Sequence, residues 1–159
     1  NLQEIGLVHK RVSGKQHYFG VYEKHPLYTE LRDIFIKTVG LKDIFVERLK
    51  PVADNLDYCF IYGSMARGDF KPDSDIDVLL IGDISSRQLA SLFADIGAQT
   101  GRQVNYAVFP LHEIEKRLKA GDHFLFSLLQ ESLLFITGQE NEFRSLAQEW
   151  LAQAAQDQS

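Results

Sequence analysis

The sequence predicts an α+β fold, close to α/β in pattern: a small mixed sheet with helices, preceded by a β-hairpin and a linker helix. Three observations carry this. From about Leu41 onward, strand-sized apolar runs alternate with stretches of three-to-four apolar spacing. The N-terminal residues instead read as two short strands around a turn signal, Ser13-Gly14-Lys15. The charge also breaks along the chain. Asn1–Pro51 hold nine Lys/Arg against six Asp/Glu, +3, while Val52–Ser159 hold eight against sixteen, −8. Two units are therefore expected, a partial one over residues 1–39 and a larger one over 40–159.

The elements follow in order. Asn1–Ile5 reads as the last turn of a helix capped by Gly6. Leu7–Val12 and Gln16–Tyr22 carry the β-branched and aromatic residues of a hairpin. His25–Thr38 has Leu27, Leu31, Ile34 and Phe35 at helical spacing, and Gly40 stops it. A second helix is expected over Leu41–Ala53. Asp57–Tyr62 is a buried-strand pattern broken by Gly63-Ser64, and Ser64–Arg67 has room for one helical turn. Gly68–Ser74 is a polar loop, and Asp75–Ile81 a second strand. Ser85-Ser86 can cap a helix to Thr100, with Gly101 closing it. Arg102–Phe109 is a third strand and Pro110–Ala120 a helix. Asp122 caps a helix to Leu129, Leu133–Ile136 is a short apolar segment, and Asn141–Ala155 a terminal helix.

Composition narrows the function. With 159 residues, 45% hydrophobic and 25% charged, the chain can bury a core, which excludes a disordered or fibrous protein. No apolar run approaches the roughly 18 residues of a membrane helix. The one cysteine, Cys59, permits neither an intrachain disulfide nor a Cys-rich zinc site, and with no leader pattern a cytoplasmic location is expected. The acidic second unit lacks the Lys and Arg that neutralise nucleic-acid phosphates. It can take a nucleotide if metal ions supply the positive charge.

One stretch carries chemistry. Gly63-Ser64 is followed by ten residues and then by Asp75-Ile76-Asp77. Two aspartates two apart on a strand face the same side. Like charges that close need a counter-ion, and Mg2+ or Mn2+ suits carboxylate oxygens and substrate phosphates. Gly63-Ser64 offers unhindered backbone N–H groups and a hydroxyl to a phosphate. Together they suit phosphoryl or nucleotidyl transfer. Two roles are open for Arg67: a phosphate contact, or a salt bridge to Asp69 or Asp77. His112 and His123 have no metal-ligand spacing. Cys59 reads as core rather than nucleophile, and Phe124, Phe126, Phe135 and Trp150 read as core, with base stacking open to one of them.

Gly-Ser, ten residues, Asp-x-Asp resembles the signature of the DNA polymerase β-like nucleotidyltransferase superfamily in its minimal single-domain branch. The resemblance covers roughly Leu41–Gly138. It implies a small mixed sheet with helices on one side, and phosphate binding by Gly63 and Ser64. It also implies two Mg2+ ions on Asp75 and Asp77, and transfer of a nucleoside monophosphate from a nucleoside triphosphate to a hydroxyl of a small molecule or protein. In some relatives the acceptor is a helical toxin partner. The superfamily has a third carboxylate on the next strand, whose place here falls to Asn105; an amide cannot accept the proton of the attacking hydroxyl. Asp95 and Asp122 are the alternatives for that acid. A nucleotide-sensing domain with weak or no turnover is the competing expectation.

Leu2–Lys37 in turn resembles the end of a winged helix-turn-helix domain of the bacterial repressor type, with Leu7–Tyr22 as the wing and His25–Thr38 as the next helix. That implies a transcriptional regulator from which this chain is truncated or processed. Lys10, Arg11 and Lys15 would touch only phosphates, so DNA is expected as a partner only through a complete winged-helix domain.

Overall fold

The computed structural model describes residues 3–157 apart from 14, 15, 23, 29, 31–39, 70, 72 and 73. Two compact units are distinguished, Asn1–Leu41 and Lys42–Ser159. In the first, β1 (Val8–Ser13) and β2 (Gln16–Val21) pair antiparallel, with Ser13 opposite Gln16 and Val8 opposite Val21. Lys10 faces Phe19 across the ladder and sets its ammonium 6.0 Å from the ring centre. The expected helical end before the hairpin is a turn over residues 3–6, closed by Gly6 N–H donating to Gln3 O at 3.1 Å. Of the helix expected over His25–Thr38, residues 29 and 31–38 lie outside the described residues.

The second unit has the expected alternation. α1 (Leu41–Leu49) is shorter than the helix predicted to Ala53. Pro51 has no N–H to continue the ladder, so residues Lys50–Asn55 tighten into a 3-10 turn with Pro51 at its start. Then come β3 (Leu56–Tyr62), the single turn α2 (Ser64–Arg67), β4 (Ile76–Gly82) and α3 (Ser86–Thr100). β5 (Val104–Phe109), α4 (Leu111–Lys119), α5 (His123–Gln130), β6 (Leu134–Thr137) and α6 (Glu140–Asp157) complete it. The strands lie in the order β5-β4-β3-β6, with β4 and β5 parallel and the other pairs antiparallel, a mixed sheet.

The sheet is covered on both faces, not on one as the resemblance implies. Phe60, Leu79 and Ile81 share a core with Ile114 and Leu118 of α4, Leu125 and Leu128 of α5, and Phe143, Ala147 and Trp150 of α6. Side chains alternate along a strand, so the intervening residues face the other way. There Tyr106 of β5 stacks on Phe93 of α3, ring centres 4.3 Å apart, and Phe93 meets Phe45 of α1 at 6.1 Å. Double cover explains why Val78, Leu79, Leu80 and Ile81 form one continuous apolar run, all fully buried. Among the described residues no helix is long and apolar enough to cross a membrane.

Cys59 sits in the middle of β3, fully buried, and burial pushes its thiol far above its ordinary value. The thiolate is the reactive form, so Cys59 is expected to resist iodoacetamide at pH 8 in the folded chain. It should react at the ordinary rate once the chain is unfolded in denaturant. Mass spectrometry of the two samples checks this; equal labelling would place Cys59 at the surface.

Candidate active site

β3 runs out at Tyr62, and the chain reverses through Gly63. Its φ of 72° and ψ of −149° are open to glycine but strained for any residue with a Cβ. α2 follows as one turn, with Arg67 N–H donating to Gly63 O at 3.1 Å, and Gly68 ends it in the left-handed region. A Cβ at Gly63 would stand 3.1 Å from Asp77 Oδ2. The absent side chain thus lets the Gly63 backbone lie directly against that carboxylate. Replacing Gly63 by Ala is expected to lower stability by about 1–3 kcal/mol from backbone strain and to displace Asp77 as well. Gly68→Ala, with nothing within 4 Å of its Cβ, carries strain alone. Thermal unfolding and nucleotide binding of the two variants separate the effects: only Gly63→Ala should lose binding.

Asp77 lies in β4, opposite Tyr62 on one side and Asn105 on the other. Asp75 was predicted to open the strand, but the strand begins at Ile76, whose N–H is bonded to Gln103 O at 2.9 Å. The two carboxylates still meet at one group. Asn105 Nδ2 donates to Asp75 Oδ2 at 3.2 Å and to Asp77 Oδ1 at 3.1 Å. Gln103 Nε2 in turn donates to Asn105 Oδ1 at 3.0 Å. Burial first, and then the negative charge of Asp77, raise the Tyr62 phenol above its ordinary value. The Tyr62 ring meets Phe124 edge-on at 5.6 Å. Phe124 was read as core, yet it is 42% exposed, an open aromatic face beside the neighbour of Asp77. Phe135 and Trp150 pack in or against the core, as expected. Phe126 is half-buried and lines a separate small surface hollow with Leu129 and Arg144.

Arg67 makes one of the two salt bridges foreseen for it. Its Nε lies 3.4 Å from Asp69 Oδ2, and its Nη1 reaches Glu131 Oε2 at 3.0 Å, a partner the sequence did not suggest. Glu131 follows α5, and its carbonyl accepts from Arg144 Nη2 at 2.9 Å. The Arg67 side chain is 43% exposed, so these pairs are weak. The alternative third acids are occupied elsewhere. Asp95 pairs with Arg48 at 3.7 Å; Asp122 accepts from Phe124 N–H and Leu125 N–H at the start of α5 and pairs with Arg117.

Sequence reasoning missed Arg102. It was read as the first residue of a strand, but the residue is buried, 7% exposed, and its Nη1 donates to Ser74 O at 2.7 Å and Lys71 O at 3.0 Å. It thereby ties the loop that delivers Asp75 to the start of β5. The signal lay in the register of two strands, which no local spacing reveals.

Among the described residues no group of three or more His, Cys, Asp or Glu side chains is placed to hold a metal. The donor set is two carboxylates joined through one amide. Those hard oxygens fit a Mg2+ ion that arrives with phosphate ligands of its own. A cleft of about 500 Å3 lined by Asp57, Asp83, His112, Glu115 and Trp150 lies by Gly82, at the other end of β4, and contains none of these groups.

Asp77 on the central strand β4, with Asp75 just before it, thus stands against the glycine turn that ends β3. Residues 40–135 match the nucleotidyltransferase domain family, and the chain belongs to that family. Among solved structures, a toxin–antitoxin complex with AMP-PNP aligns at 12% identity, covering 72% of this chain and 84% of its own, with a TM-score of 0.49. A Shewanella oneidensis structure of a tri-AMPylated HEPN toxin with MNT antitoxin aligns at 11%, covering 82% and 89%, with a TM-score of 0.46. A Sulfolobus solfataricus protein described as a nucleotidyltransferase aligns at 26%, covering 55% and 78%, with a TM-score of 0.34. No curated protein matches the chain.

Proposed function

We propose that the chain binds a nucleoside triphosphate with Mg2+ and transfers the nucleoside monophosphate to a hydroxyl acceptor, a small molecule or a protein. The observation that supports it best is the meeting of Asp75 and Asp77 at one amide, with the Gly63 turn lying against Asp77. Asp75 and Asp77 are the residues that hold the metal, and the metal when bound neutralises phosphate charge. Gly63 and Ser64 offer the triphosphate backbone N–H groups and a hydroxyl. Arg67 leaves Glu131 for a phosphate, and Phe124 offers a stacking face to the base. The new bond forms from the hydroxyl oxygen to the α-phosphorus as the bond to the β-phosphate breaks and pyrophosphate leaves. The hydroxyl proton passes to solvent, because Asn105 holds the position next to both carboxylates and an amide is no base at neutral pH.

That last point favours a second reading. The domain is then a nucleotide sensor with slow or no turnover, regulating DNA through a winged-helix domain of which β1 and β2 are the wing. Incubation with α-labelled nucleoside triphosphates and Mg2+ separates the two. Pyrophosphate release with label transfer supports the enzyme; binding by calorimetry without release supports the sensor. Neither binding nor release would remove both.

A further inference from the structure

We infer that Gln103 and Asn105 restrict the site to one divalent cation, the one a nucleoside triphosphate carries in; this rests on the nucleotide reading above. The observation is the direction of an amide. A carboxamide nitrogen has two hydrogens, and the distances of 3.2 and 3.1 Å give one to Asp75 Oδ2 and the other to Asp77 Oδ1. The amide oxygen is occupied too, accepting from Gln103 Nε2. Turning the amide over would set its oxygen against two carboxylates and its NH2 against the NH2 of Gln103. Three hydrogen bonds would become three repulsive contacts, so the two acids and Gln103 together fix which end of Asn105 faces the carboxylates.

Asn105 is therefore a donor toward the carboxylates and not a metal ligand. The amide engages Asp75 Oδ2 and Asp77 Oδ1 and leaves Asp75 Oδ1 and Asp77 Oδ2 to the first cation; a second would have to compete with the N–H groups and would meet the positive end of the amide dipole. Charge points the same way. Two carboxylates balance one divalent cation, and among the described residues no third acid, His or Cys completes a larger set. A carboxylate at position 105 would present oxygens and a third negative charge to the same place. Losing the donor at position 103 would let the amide turn its oxygen toward the metal side.

Equilibrium dialysis of the chain against Mn2+ and a non-hydrolysable nucleoside triphosphate analogue tests this, by counting retained Mn2+ per retained nucleotide. One Mn2+ per nucleotide is expected for the parent, and two for Asn105→Asp. Two are also expected for Gln103→Leu, at higher Mn2+ concentration; Gln103 is exposed, so that change spares the core. Two Mn2+ in the parent would overturn the inference and leave the nucleotide reading standing. One Mn2+ in all three chains would overturn the role given to the pair. If no chain retains nucleotide, the site reading and the inference fall together.

Discussion

Replacing Asp75 and Asp77 together by Asn abolishes Mg2+-dependent nucleotide binding and leaves the fold intact. Both carboxylates lie at the edge of the core: Asp75 is exposed, and Asp77 is half-buried at the start of β4. Their replacement by isosteric amides removes two negative charges without changing volume. What is lost is the charge that holds the cation between protein and triphosphate, and such stabilisation is worth several kcal/mol. A fall in affinity on the order of 100-fold or more follows, at about 1.4 kcal/mol per factor of ten. Without metal the variant should be no less stable than the parent, since two like charges are gone. Filter binding of labelled nucleotide with Mg2+, beside thermal unfolding, reads both quantities. Unchanged affinity in the doubly substituted chain would remove Asp75 and Asp77 from the site.

Asn105→Asp raises the rate of nucleotidyl transfer. Asn105 is opposite Asp77 in the β4–β5 ladder and its side chain reaches both acids. A carboxylate there stands where it can accept the proton of an attacking hydroxyl, and general-base catalysis is typically worth about 10²–10⁴-fold. The steric cost is small because Asn and Asp are nearly equal in size. Three close carboxylates repel without metal, so the metal-free variant should unfold at lower temperature and recover on adding Mg2+. Turnover of parent and variant at matched Mg2+ decides it. A parent that turns over briskly and a slower Asp variant would show that Asn105 does not hold the base position.

The parts of the site that were legible in the sequence are those made by neighbours along the chain. Gly63 and Ser64 follow an apolar strand within one residue, and Asp75 and Asp77 stand two apart, a spacing that brings them to one amide although β4 begins only at Ile76. Asn105 was legible one step further out, because the resemblance put the third carboxylate's place on the next strand. Its meeting with both aspartates depended on the parallel register of β4 and β5, which the sequence does not print. Arg102 and Glu131 were invisible for the same reason. Arg102 holds Ser74 and Lys71 from 28 and 31 residues away, and Glu131 holds Arg67 from 64 away. Phe124 was misread because an aromatic residue on an apolar helix is ordinarily core. The cap at Asp122 leaves it instead in the first turn of α5, at the rim. The short α1 was misjudged because apolar spacing ran on through Val52, while Pro51 broke the hydrogen-bond ladder that spacing alone cannot see.

Both functional readings share one claim, that Asp75 and Asp77 beside Gly63-Ser64 form a metal-dependent nucleotide site. Calorimetric titration of the parent chain with a non-hydrolysable nucleoside triphosphate analogue tests it most directly, once with Mg2+ and once with the metal chelated away. The account predicts saturable binding of one nucleotide per chain with Mg2+, and binding weakened on the order of 100-fold without it, the metal-borne share of several kcal/mol. Equal affinity in the two titrations, or no binding in either, would contradict it.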